Sequence, residues 1–251
     1  MARQIGPLKI SGNVGGLNFY QTSTGFYVRM EGGVDAKRIA RDPSFKLTRM
    51  YNTEFGNASR AGALFRQAFR GPVKSFKDSG YQLRVMQLMT SLKNADTESM
   101  LGKRNVSSAL SLPGNLQLVC GFEFHATTYF QSVFSARYVT DPQTGAVCFE
   151  NLVPTQDFIP PRTATHVLLS AYYAQLDFER DIEDSTDAEV CFTLDNLPRN
   201  FALNPENMPT GAGLSVTALK IQFLRDDGEE LVSLKKGGAA MKIVEAKWQG
   251  I

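Results

Sequence analysis

The densest run of chemically active side chains is DFERDIEDSTDAE, residues 177–189, with seven carboxylates. Carboxylate oxygens are what calcium takes as ligands. An EF-hand loop, however, needs glycine at its sixth position, and counting from Asp177 that position is Ile182. The run therefore reads as a solvated acidic loop, in which Asp177, Glu179, Asp181, Glu183 and Asp184 are available to a basic partner surface. Only two histidines exist, His125 and His166, each in a β-like run with no acid or cysteine at ligand spacing. There is no G-x-S-x-G elbow, no G-x-G-x-x-G fingerprint and no G-K-[ST] after a strand. Cys120, Cys148 and Cys191 are far apart in sequence and lack C-x-x-C spacing, which argues against a zinc site or a disulfide framework. Each lies in an apolar run, so all three read as small buried hydrophobes in a chain made in a reducing compartment. No catalytic residue, metal ligand or cofactor site is assigned, and the chain reads as non-enzymatic.

These residues need elements to position them, and 251 residues with 43% hydrophobic content are enough to build a real core. No run of about 18 apolar residues is present to span a membrane. The start, MARQIGPLKISG, has no apolar h-region of a secretory signal, so synthesis in the cytoplasm is expected, with an assembled or extracellular particle as the destination. The net charge of +2 hides a division. Residues 1–105 hold 17 Lys and Arg against 7 Asp and Glu, a net of +10, and residues 106–251 hold 10 against 18, a net of −8. The basic half suggests nucleic acid, but no helix-turn-helix, zinc or RNP signature accompanies it, and the acidic half repels phosphate. A nucleic-acid role is not expected.

The pattern predicts α+β architecture in three parts. Residues 1–41 read as a Gly/aromatic β-ribbon arm, with GNVGGLNFY and GFYVRM as strands and QTSTG as the turn. Phe26, Val28 and Met30 share one face at period 2, with Tyr27 and Arg29 on the other. Residues 42–105 read as a basic helical hairpin. Asp42 and Pro43 open it, and an inward stripe runs through Phe45, Met50, Tyr51, Phe55, Ala58, Ala61, Phe65, Ala68 and Phe69. A second helix is predicted over Tyr81–Leu92. Residues 106–251 read as an acidic, mainly antiparallel β-sandwich of immunoglobulin-like general shape. Its strand candidates include LQLVCGFEFHA, YFQSVFSARYVT, GAVCFENL, THVLLSAYYAQLDFE, AEVCFTL and LSVTALKIQFL, with DPQTG at 141–145 and DDG at 226–228 as hairpin turns.

A two-stranded ribbon is marginal alone and has to pack on something. Either it caps a sheet edge of its own chain, or, as the expected function of self-assembly has it, the arm, through Leu17, Phe19, Tyr20, Phe26, Tyr27 and Val28, adds a strand to a neighbour's sheet edge. Basic-front to acidic-back contact makes a head-to-tail homo-oligomer, a ring if it closes and a filament if it does not. The alternative is a monomeric ligand- or carbohydrate-binding β-sandwich using Tyr172, Tyr173 or Trp248 as a platform. The segments GNVGGLNFYQTSTGFYVR and FGNASRAGALFRQAFR, within residues 10–70, resemble a group of Bacteroidota proteins with a G-x-x-G-x-x-x-F-Y…V-R opening followed by a helix. That group has no established activity. The resemblance implies a bacterial source and a mobile element or surface structure, and it carries over no catalytic residue.

Overall fold

The computed structural model describes residues 2–76, 78–141, 144–234 and 238–250. The chain divides into two compact units, Met1–Arg49 and Met50–Ile251.

The first unit holds a four-stranded antiparallel sheet made of β1 (Ala2–Arg3), β2 (Gly12–Val14), β3 (Leu17–Thr22) and β4 (Gly25–Met30), in the order β1-β4-β3-β2. GNVGGLNFY, expected to be one strand, is a hairpin. Val14 pairs with Leu17 across a two-residue loop, Gly15 and Gly16, at φ 57° and 77°. Two successive positive φ values are the mirror-image turn that matches strand twist, and glycine adopts them without steric cost. Past the sheet, the helix α1 (Ala36–Arg41) is capped by Asp35. Asp42 caps a 3-10 turn over Pro43–Phe45, with its carboxylate accepting from the Ser44 N–H at 2.9 Å.

Helices come next in the chain: α2 (Lys46–Ala68), α3 (Arg70–Val73), α4 (Tyr81–Ala95) and α5 (Val106–Leu110). The inward face of α2 differs from the expected stripe. Tyr51 and Phe55 are exposed, and the buried series runs Glu54, Ala58, Ala61, Phe65, Ala68 at four-three spacing. The stripe is rotated because the Glu54 carboxylate, which has no exposed surface, is the group that turns inward. It accepts from Lys93 at 3.0 Å, from Arg104 twice at 2.9 Å and from the Gly102 N–H at 2.7 Å.

The strands form two further sheets. The small one joins β5 (Tyr138–Thr140), β6 (Val147–Leu152) and β9 (Arg199–Leu203). The large one joins β7 (His166–Asp177), β8 (Ile182–Thr193), β10 (Gly213–Asp226), β11 (Leu231–Ser233) and β12 (Ala239–Gln249), with β10 at its centre. Two short helices, α6 (Phe130–Val133) and α7 (Pro154–Asp157), lie between strands in sequence. Strand alternation sends β10 into both cores. Leu214, Val216 and Ala218 pack with Ala174, Leu176, Met241 and Ile243 under the helices, against Phe65, Phe69, Val85 and Met89. Leu219, Ile221 and Phe223 pack with Val167, Leu169 and Tyr173 against Val147, Phe149 and Leu203 of the small sheet. The fold is thus α+β with mainly antiparallel sheets. One face of the large sheet is covered by helices, a layer that a two-sheet sandwich lacks.

Two predicted strands are corrected. The start of LQLVCGFEFHA belongs to a 3-10 turn over Asn115–Leu118, and only Gly121–Phe124 runs alongside β12. Gly114 and Gly121, at φ 87° and 85°, redirect the chain, and packing of Val119 and Phe124 in the helix-side core replaces a ladder. In YFQSVFSARYVT, Phe130–Val133 is helical, Phe134 makes an isolated bridge to Phe158, and only Tyr138–Thr140 is a strand. The cysteines are also corrected: Cys120 and Cys191 are exposed and Cys148 is half-buried, all three free. On β8, alternation gives the core side to Ala188, Val190 and Phe192, leaving Cys191 outside. At the DDG turn, Asp226 accepts from the Gly228 N–H at 2.8 Å. Pro142 and Gln143 of DPQTG lie outside the described residues.

Candidate interaction surfaces

The N-terminal sheet sorts its side chains by register. Pairing of Leu17 with Met30, Phe19 with Val28, Gln21 with Phe26 and Val14 with Leu17 puts Val14, Leu17, Phe19, Phe26, Val28 and Met30 on one face. Tyr20 and Tyr27 pair on the other face, with ring centres 6.1 Å apart, and the Arg29 guanidinium lies 5.5 Å from the Tyr20 ring. Four of the six expected residues therefore share the apolar face and two do not. Val14 and Met30 complete that face, and the glycine turn that brings Val14 onto it was the signal for it. Val14, Leu17 and Met30 are 59%, 37% and 79% exposed. No described residue of 2–49 is buried, so this sheet has no core of its own.

The acidic run is a hairpin rather than the expected loop. β7 and β8 pair without interruption from His166–Thr193 to Asp177–Ile182. Asp177 is buried and builds the turn: one oxygen accepts from the N–H groups of Glu179 and Arg180 at 2.9 and 3.0 Å, and the other lies 3.5 Å from the Arg180 guanidinium. Asp181 supplies the positive φ, 56°, that closes the turn, a conformation aspartate tolerates better than most residues. Glu179 is exposed at the tip. Glu183 and Asp184 lie on β8 itself, and Glu183 accepts from the Gln67 amide at 3.3 Å. Asp187 and Glu189 extend the carboxylates along the same strand. The run looked like a loop because its sequence lacks apolar alternation; its pairing comes from the twelve residues of β7.

Lys220 went unnoticed in sequence. It is 6% exposed on β10, and its ammonium lies 5.6 Å from the Phe76 ring and 6.0 Å from the Tyr172 ring. Burial lowers its pKa to about 8, against the pull of Glu189 and Asp187. Burial, with Asp187 nearby, pushes the Tyr172 phenol up to about 12. The available signal was a lone cation at an inward position of LSVTALKIQFL. Beside Tyr172 lies a half-open cleft of about 360 Å³, lined also by Phe69, Pro72, Glu183 and Asp187.

The expected carbohydrate platform is divided between faces. Tyr173 is buried on the small-sheet side, with its hydroxyl donating to the Leu203 carbonyl at 2.8 Å, while Tyr172 and Trp248 pack on the helix side. His125 packs against the Phe76 ring at 5.5 Å, with its Nδ1 taking the Thr128 N–H at 3.1 Å. The His166 Nδ1 meets the Thr165 hydroxyl at 2.9 Å. Among the described residues no group of three His, Cys, Asp or Glu side chains could hold a metal ion. No helix among them is long and apolar enough to cross a membrane. Comparison with protein-family models, curated proteins and solved structures returns no match to this chain.

Proposed function

We propose that this chain is a non-enzymatic structural protein that assembles with copies of itself, head to tail, using its N-terminal sheet as a docking arm. One observation carries the reading: Val14, Leu17, Phe19, Phe26, Val28 and Met30 form one apolar face on a sheet that buries no residue. A contiguous apolar face with Val14, Leu17 and Met30 exposed and Phe19, Phe26 and Val28 half-buried, on a unit with no buried residue among those described, is what an association surface looks like. The occupant is a second copy, because the chain carries the complementary charge itself: residues 2–30 hold Arg3, Lys9 and Arg29 and no acid, while β8 holds four carboxylates and no cation. In this reading the two facing sheets are a sandwich-like body that presents the arm to a neighbour.

Particle size by light scattering, with negative-stain imaging, tests this. The expected result is uniform rings or filaments for the native chain, and their loss in the double variant Leu17→Ser, Met30→Ser. A native chain that stays monomeric at high concentration would refute the reading. The cleft beside Tyr172 favours a second reading, a monomeric ligand-binding protein, and a monomeric result would turn attention there.

A further inference from the structure

The large sheet has two edges, and they are treated differently. On one side the outer edge of β12 is covered over Met241–Ile243: Gly121 and Phe124 donate to the carbonyls of Ile243 and Met241 at 2.9 Å, and Ile243 donates to Phe122 at 3.0 Å. On the other side lies β8, twelve residues long, and among the described residues no strand but β7 pairs with it. A long open edge offers a row of unpaired main-chain donors and acceptors to any extended chain. Proteins usually blunt such edges by shortness, proline, a bulge or a lysine. β8 has none of these, since its register with β7 is unbroken and its sequence is IEDSTDAEVCFT. Its protection is like charge alone: Glu183, Asp184, Asp187 and Glu189. That protection is selective. It repels the β8 of another copy and any acidic strand, and it attracts a basic one.

The N-terminal sheet has an open edge and is basic as a whole, through Arg3, Lys9 and Arg29 with no acid in residues 2–30, although β2 and β3 themselves are uncharged. β2 pairs with residues 17–19 of β3, and among the described residues no strand pairs with Gln21 and Thr22 on that side. We propose that β8 is the acceptor of assembly, taking the β2/β3 edge of a second copy's N-terminal sheet as an added strand and continuing the sheet from copy to copy. This inference rests on the assembly reading above and names the surface it uses. Donor and acceptor are different surfaces of the same chain, so each copy can take one neighbour and offer itself to the next.

The test uses the full chain with Gln21→Cys on β3 and the native Cys191, which is exposed on β8. Isotopically light and heavy copies are mixed, allowed to assemble and treated with a short bis-maleimide, and peptides joined between copies are identified by mass spectrometry. In parallel, amide exchange of residues 182–193 is compared in assembled protein and in the same protein diluted below its assembly concentration. The expected result is a light–heavy link between the thiol introduced by Gln21→Cys in one copy and Cys191 of another, with β8 amides exchanging at least tenfold more slowly in the assembly. A third arm, Asp184→Lys with Asp187→Lys, should raise the concentration needed for assembly at least tenfold at low salt. Assembly without that link and without β8 protection would overturn this inference and leave the assembly reading standing. No assembly at any concentration would overturn both.

Discussion

Glu54 keeps its charge without any exposed surface because Arg104, Lys93 and the Gly102 N–H hold it from three directions. The hydrogen bonds from Arg104, with help from Gly102 and Lys93, lower its pKa to about 2 in spite of burial. Its stabilising contribution is therefore fully present above the ordinary value of 4.5 and disappears as pH falls through 2. Glu54→Gln leaves two cations underpaired and should cost about 3–5 kcal/mol at pH 7. In urea unfolding, the gap between native and variant should narrow at pH 2–3; a gap independent of pH would contradict the assignment. Lys220 has the opposite sign. Its folded pKa of about 8 lies below the ordinary 10.5, so the buried charge is a cost below pH 8 that is relieved as pH rises towards 10.5. Lys220→Met should therefore stabilise the protein at pH 7, by about 1–3 kcal/mol, and flatten the rise in stability on the alkaline side. A loss of stability would show that the Phe76 and Tyr172 rings more than compensate for burial.

At the scale of elements, β10 depends on one glycine at its start. Gly213 sits at φ 101°, and a Cβ there would lie 2.2 Å from the Leu176 carbonyl oxygen of β7. Gly213→Ala should cost several kcal/mol, on the order of the most severe single substitutions, since both backbone strain and a backbone clash oppose it. A melting temperature within a few degrees of the native chain would mean that β7 can move aside. The two long helices were legible because three-to-four spacing is a long signal, the second being found at Tyr81–Ala95, whereas short helices such as α5 are too brief to show a period. The face of α2 was not, because the pattern counts Tyr51 and Phe55 as apolar and has no means of seeing a carboxylate satisfied by Arg104, fifty residues away. Similarly, an apolar run such as LQLVCGFEF does not distinguish a strand from a turn anchored by Val119 and Phe124. In the N-terminal sheet the faces were readable from period 2, while the extra hairpin at Gly15 and Gly16 and the short strand β1, paired with β4, were missed.

For the whole molecule, the charge division predicts how the proposed assembly would respond to solvent. Exposed charges are screened beyond about 10 Å at 0.1 M salt, so raising salt should slow association and shrink particles. Contacts of the apolar face should persist, leaving the fully assembled state less sensitive to salt than its rate of formation. Light scattering over a salt series checks this: rates that do not change with salt would remove the charge division from the account.

The helix-side core also sets an order of events during synthesis. Ala58, Phe65, Val85 and Leu92 are covered by Leu214, Val216, Met241 and Ile243. The helices thus leave the ribosome long before their cover exists. At about 5–20 residues per second, the roughly 150 residues between Leu92 and Ile243 take about 10–30 s to make. Throughout that interval the apolar face of the helical hairpin is open to chaperones and to other nascent chains. The strands that cover the helices are translated after them, so a chain truncated before β12 leaves both cores without that strand.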